Sequence, residues 1–318
     1  MLSRVADSLY WMSRYLERAE HIARVVNVNL TITQDRTPAD AATHWGRLLE
    51  ALPAPPPFAP RAAADRPHEA TLDLANHESI AACVAVAREN ARQVRDEISS
   101  DMWEELNRLY LAVQHSQPAE SEWTAGTHDF LRSTITAIHL IQGVTDATMT
   151  HGEGWHFMEL GRFVERATNT AALLEVQFRD FGRDAEKPTA VAEYVEWAGV
   201  LHSCAAFEAY CRHYTADIRP VRIANFLVLH PDFPRSIRFA AARVAASLRS
   251  IAALTGRMKG RSERLAGRLT TSLDYGQIDD IFGALPPYLE DIVRQGNAIG
   301  TAVHQQYIAY HVGREFAG

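Results

Sequence analysis

Apolar side chains along this chain recur at alternating steps of four and three. Near the N-terminus Val5, Leu9, Met12, Leu16, Ala19, Ala23, Val26 and Leu30 form one unbroken stripe. Ile80, Val84, Ala87, Ala91, Val94 and Ile98 form a second, and Leu160, Val164, Ala167, Ala171, Leu174 and Phe178 a third. A repeat of 3.6 residues puts each set on one helix face, turned towards a core. No run of alternating β-branched residues competes, so the pattern predicts an all-α protein, a compact bundle of about ten helices with no sheet. Asp101 is the expected cap of the helix that carries Trp103. One segment breaks the pattern: Leu52 to Pro67 is rich in proline and alanine. It cannot be helical inside, and residues 52–67 are expected to run extended over the surface.

The charged positions repeat as well. Arg14-Tyr-Leu-Glu17-Arg18-Ala19 returns as Arg162-Phe-Val-Glu165-Arg166-Ala167, 148 residues later. Ser79-Ile80 has a counterpart in Ser236-Ile237, and Gln142-Gly143 has one in Gln295-Gly296, at offsets of 157 and 153. Three matches in the same order suggest one domain over residues 1–318, built from two related helical halves, 1–150 and 151–318. Halves of that kind pack about a pseudo-twofold axis, so the paired motifs are expected to face one another.

Arg14 and Glu17 are three apart and share a helix face; Arg18 lies about 100° further round, and His21 continues the face in the next turn. Tyr10, Trp11 and Tyr15 flank the motif, which is therefore not a plain wet surface. An exposed pair with the cation before the anion contributes only a few tenths of a kcal/mol, a weak reason to build the motif twice. Two stronger readings stay open. The groups pair across the bundle, Arg14 with Glu165 and Arg162 with Glu17, and so fix the register of the halves. Alternatively they line a polar cleft in which arginine forks take a carboxylate or phosphate. A second charged set, with Arg88, Glu89, Arg92 and Arg95, reads in isolation as a solvated helix face.

Composition narrows the function classes. The chain has 318 residues, 47% hydrophobic and 22% charged, with a net charge of −7. That balance argues against a dedicated nucleic-acid binder, which needs a basic face. The arginines crowded between Arg235 and Arg268 read as solvated helix faces. Cys83, Cys204 and Cys211 form no CxxC, so buried free thiols in a reducing compartment are expected. With no secretory leader pattern and no membrane-length apolar run, a cytoplasmic protein without membrane contact is expected. Glu153-Gly-Trp-His156 is a single Glu-x-x-His, where a di-metal bundle needs two. No phosphate-cradling loop and no nucleophile elbow is present, so neither a cofactor nor a nucleotide site is expected.

Four segments together resemble the alpha-E family, bacterial all-helical proteins named for their helices and recurrent glutamates. They are Leu9-Tyr-Trp-Met-Ser-Arg14-Tyr-Leu-Glu17-Arg18-Ala19-Glu20, Ala87-Arg-Glu-Asn-Ala-Arg92, Glu159-Leu-Gly-Arg162-Phe-Val-Glu165-Arg166-Ala167 and Phe226-Leu-Val-Leu-His-Pro-Asp-Phe-Pro234-Arg235-Ser236-Ile237. The resemblance spans nearly the whole chain; the proline-rich stretch and Asn76-His-Glu-Ser79 depart from it in a variable connection. It implies a companion of circularly permuted ATP-grasp ligases, encoded with or fused to them, often beside transglutaminase-like proteases. The setting it implies is ATP-dependent amide or peptide bond formation. Glu17, Glu89 and Glu165 are then the catalytic candidates, orienting or deprotonating an attacking amine. Arg14, Arg18, Arg92, Arg162, Arg166 and Arg235 are the candidates for gripping the carboxylate or acyl phosphate of a peptide, amine or acyl-phosphate intermediate. Two alternatives stand beside this: a separate enzyme that processes the ligated product with the same acids and bases, and a non-catalytic assembly scaffold whose buried ion pairs specify packing.

Overall fold

The structure is a computed structural model that describes residues 1–52, 66–74, 76–116, 123–181, 191–215 and 217–309. In the first half the helices are α1 (Ser3–Thr33), α2 (Pro38–Glu50), α3 (Arg66–Thr71), α4 (Ile80–Gln93), α5 (Ser100–His115) and α6 (Trp123–Thr148). In the second they are α7 (Glu153–Phe181), α8 (Val191–Ser203), α9 (Phe207–Tyr214), α10 (Pro220–Ala224), α11 (Ile237–Thr255), α12 (Arg261–Asp274), α13 (Ile278–Ile281) and α14 (Leu285–Val303). Among the described residues there is no strand, and ten helices have 13 residues or more. The other four are short pieces that no long apolar stripe marks. Two π-helical turns, Asn225–Leu229 and His304–Ile308, extend α10 and α14.

Side-chain caps fix where several helices begin. The Ser79 hydroxyl accepts from the Ala82 N–H at 3.1 Å to open α4, and Ser236 does the same for Phe239 at 3.1 Å to open α11. Each takes one of the backbone donors that a helix start leaves without a partner. The cap of α5 is Ser99, which accepts from Met102, and not Asp101, which sits inside the first turn. Leu52 is buried and not part of a surface loop, and Pro67 already lies in α3. The rest of the proline-rich segment, residues 53–65, falls outside the described residues.

The two longest helices, α1 and α7, run through the middle and pack on each other. Helix α1 also packs on α4 and α6, and α5 closes that group by touching both. Helix α7 packs on α11 and α14, and α12 closes that group in the same manner. These two groups of four helices are thus connected alike, and one continuous apolar core spans them. The three stripes read from the sequence lie in that core, with Leu30 only partly covered at the end of the first. No helix among the described residues is long and apolar enough to cross a membrane.

The approach of α1 to α7 depends on one glycine. A Cβ on Gly161 would stand 2.3 Å from the backbone oxygen of Tyr10, so backbone meets backbone there. Any side chain at this position pushes the central helices apart. Gly161→Ala is expected to lower stability by about 1–3 kcal/mol, the usual cost of overpacking. Gly143, within α6, has nothing within 4 Å of its Cβ position, so Gly143→Ala is expected to raise stability by about 0.5–1 kcal/mol. Urea-unfolding midpoints of the two variants against the parent check the contrast.

Candidate functional site

Neighbouring residues on a helix are turned about 100° from each other, so Glu17-Arg18 on α1 and Glu165-Arg166 on α7 each present a carboxylate and a guanidinium to the seam at the crossing. Arg166 grips Glu17 with Nε at 2.6 Å and Nη2 at 2.7 Å, one donor to each carboxylate oxygen. In return Arg18 donates to Glu165 from Nε at 2.6 Å and from Nη2 at 3.2 Å. Arg14 adds a further donor to Glu165, Nε at 2.8 Å. The two dipeptides therefore hold one another reciprocally, with both glutamates 1% exposed.

A second ring of charges surrounds this pair. Arg235, in the turn before α11, contacts Glu20 and stands 3.6 Å from Glu17. Glu20 is fully buried, accepts from Arg24 Nε at 2.9 Å and lies 2.7 Å from His139 Nε2. Arg18 also reaches Glu78, the residue before the Ser79 cap. Arg162 turns to Glu159 on its own helix, and Arg243 from α11 joins the same carboxylate at 2.6 Å. Aromatic faces complete the lining: Arg14 lies 4.7 Å above Trp11, Arg18 5.3 Å above Tyr15, and Arg162 4.9 Å above Phe163.

Burial sets the electrostatics. It pushes the Glu165 carboxyl up, but Arg14 and Arg18 outweigh it and leave the group below its ordinary value. Burial acts likewise on Glu20, and Arg235, His139 and Arg24 bring it well below. Burial holds the Arg162 guanidinium below its usual value, with Glu159 opposing and Arg166 adding to the effect. His21 lies buried among these groups; burial and then Arg235 bring it to about 4, against the pull of Glu17, Glu165 and Glu20. A general base needs an open lone pair and a pKa near the working pH. Glu17 and Glu165 have their oxygens taken by guanidinium forks, and Glu165 is shifted the wrong way. The arrangement acts as an internal clasp.

Most of the sequence candidates converge here. Arg14, Glu17, Arg18, Glu165, Arg166 and Arg235 form one buried network, with Arg162 at its edge. The pair Arg14 with Glu165 is as expected, but the pair Arg162 with Glu17 is not formed. Arg166 takes Glu17 instead, because it projects across the seam while Arg162, one turn earlier, finds Glu159 first. Glu89 and Arg92 lie elsewhere. They bind each other at 2.8–2.9 Å on the outer face of α4, 48% and 60% exposed, and take no part in the network. Arg88 and Arg95 lie over Trp103, and Arg88 over Tyr110, so their charges rest on rings from α5. Glu20, Glu78, Glu159, Arg24 and Arg243 belong to the network and were not singled out from the sequence. Glu20 follows the first repeated segment and Glu159 precedes the second, each beside the apolar stripe, and that placement was the available signal.

Among the described residues no group of three or more His, Cys, Asp and Glu side chains is placed to hold a metal ion. The cysteines are free; burial pushes the Cys204 thiol up to about 12 and the Cys83 thiol further. Neither is a nucleophile in these surroundings.

Residues 1–308 match the Alpha-E family, described as a predicted alpha-helical domain with a conserved ER motif. Curated relatives include an uncharacterized protein of Mycobacterium bovis and two of Mycobacterium tuberculosis, each 25% identical over 290 residues. The match takes in 85% of this chain and 32% of each relative, so the chain spans about a third of their length. No solved structure matches it.

Removing one partner from a buried, paired network strands the other charge. Glu17→Ala and Glu165→Ala are each expected to cost about 3–5 kcal/mol of stability, whereas Glu89→Ala should leave the unfolding midpoint where it was.

The pH dependence has a definite sign. Groups whose folded pKa is depressed contribute stability that is complete above the unfolded pKa and lost as pH falls through the folded one. His21, ordinarily at 6.5 and here near 4, contributes a decline between those values. Glu20 and Glu165 contribute a further decline below their ordinary 4.5. Urea midpoints measured from pH 8 to pH 3 should fall in these two stages, and His21→Asn should flatten the first.

Proposed function

The chain belongs to the Alpha-E family, and on that premise we propose that it is the helical partner of a circularly permuted ATP-grasp ligase in ATP-dependent amide-bond formation. In this reading it contributes a shaped surface to a peptide, amine or acyl-phosphate intermediate, or to the ligase itself, and supplies no acid or base. The observation that carries the second half of the reading is the buried reciprocal clasp. Both glutamates of the α1 and α7 dipeptides are buried and held by arginine forks from across the seam, which supports a role in holding the two helices in register and leaves function to the outer faces. The resemblance of the sequence to ligase companions supports the first half. The greater length of the curated relatives supports it too, since there the helical unit is one part of a longer chain. A cytoplasmic setting, where ATP is at hand, goes with this role. The matching order of helix packing further supports one unit used twice, with the clasp at the join.

The purified chain is expected to raise the rate of ATP consumption by a circularly permuted ATP-grasp ligase from the same genome, given candidate peptides. The conservative variants Glu17→Gln and Glu165→Gln separate a partner from a catalyst, assayed at a temperature where circular dichroism shows them folded. A lost general base lowers turnover by about 10²–10⁴-fold; the partner reading expects the stimulation to stay within a small factor of the parent. Calorimetry with ATP and magnesium should show no micromolar binding to the isolated chain, because no phosphate-cradling loop is present in its sequence. Loss of turnover with retained fold, or tight nucleotide binding, would move the assignment to an enzyme.

A further inference from the structure

A groove of about 460 Å³ lies between α1, α6 and α8, on the outer side of the charged network. Its size falls within the range of small-molecule sites, which are mostly apolar with a few placed polar groups. The groove has a direction. On α1 it runs from Arg24 to Ile32, two helical turns or about 12 Å. Helix α8 lies antiparallel to α1, because Glu196 binds Arg36 at 2.6 Å while Gly199 meets Ile32. His202 therefore stands towards the Arg24 end, and Tyr194 and Val195 towards the Ile32 end. Val28 and Ile135 line the body between them. No aspartate or glutamate is among the described lining residues. One end is thus cationic or polar, and the other is apolar with Tyr194 and Val195 41% and 42% exposed.

The cationic end has donors to spare. Arg24 Nε donates to Glu20, but its Nη2 lies 3.0 Å from His139 Nε2, and that same nitrogen lies 2.7 Å from Glu20. One ring nitrogen cannot donate to the carboxylate and accept from the guanidinium at once. The carboxylate is the stronger partner, so His139 donates to Glu20 and the Arg24 amino group lacks its acceptor. Glu20 meanwhile keeps Arg235 and His139, so Arg24 can turn to another anion without leaving a buried carboxylate bare.

We propose that this groove binds an organic carboxylate with an apolar body, its carboxylate on Arg24 and its hydrocarbon along Val28, Ile135 and Ile32. An acyl chain and the apolar C-terminus of a peptide share this chemistry. The inference stands apart from the ligase partnership, since it concerns the isolated chain and its test needs no second protein.

The test is titration of the purified full chain with octanoate, octanol and octylamine, and with an N-acetylated leucine tripeptide as free acid and as amide. Binding is read by calorimetry and by the methyl resonances of Val28, Ile32, Ile135 and Val195. Octanoate or the free-acid peptide is expected to bind and to shift those methyls, with octylamine and the amide inert; whichever acid binds identifies the source. Arg24→Gln should weaken the acid by at least about tenfold, the loss of one charged hydrogen bond, and leave octanol unchanged. Ala198→Trp, which fills the groove, should abolish both. Failure of both acids at millimolar concentration would overturn the proposal, as would equal octanoate binding by Arg24→Gln. Concentration-dependent dimerisation abolished by Tyr194→Lys would overturn it too, by giving the face to a second copy of the chain.

Discussion

Two glutamates and their arginines, exchanged between α1 and α7 where water is excluded, set the terms for the rest of the molecule. Removing a charge from water costs several kcal/mol per ion, and only close geometry with full hydrogen bonding offsets it. Here the offset requires that Glu17 meet Arg166 and that Glu165 meet Arg18 in the same crossing. A slide of one helix by a single turn would break both pairs together. An apolar seam would tolerate such a slide far better. The clasp therefore chooses one register out of several that hydrophobic packing alone would allow, and Gly161 supplies the closeness the clasp needs.

The charges in this network do not balance. Arg14, Arg18, Arg24, Arg162, Arg166, Arg235 and Arg243 face Glu17, Glu20, Glu78, Glu159 and Glu165. The excess is cationic, and it shows at Arg162 and Arg235, both held below the ordinary arginine range, first by burial and in part by neighbouring arginines. Rings absorb part of it, since Trp11, Tyr15 and Phe163 turn their electron-rich faces to the guanidiniums. The remainder lies towards the rim, where Arg24 and Arg243 meet solvent. An interior this rich in cations accepts anions at its edge more readily than at its centre.

The helical class and the long elements were legible because burial imposes a period, and the three stripes carry it without interruption. The short helices were not, since four to eight residues are too few for a period to show. The clasp was half legible. The repeat of Arg14 and Glu17 at Arg162 and Glu165 pointed to a shared axis, but the choice between Arg162 and Arg166 as the partner of Glu17 depends on the crossing geometry of the helices. Glu89 stands apart from the clasp, and its place was legible. It belongs to the glutamates that the family resemblance marks, and Ala87 and Ala91 place the core on the opposite side of that helix. Two residues from each, a side chain on a 3.6-residue helix points away.

The partners in the clasp are separated by 147 to 151 residues of chain, and that distance has a meaning on the ribosome. At about 5–20 residues per second, α1 waits roughly 7–30 s between leaving the tunnel and the arrival of α7. During that interval Arg14, Glu17 and Arg18 belong to a helix whose eventual burial has no partner. The first half can assemble α4, α5 and α6 from near-neighbour contacts, but the face of α1 that will meet α7 stays wet and charged. Unpaired charges are strongly hydrated, so that strip of the helix favours water until its mate appears. The residues that give the finished molecule its register are thus among the last to find their partners while it is being made.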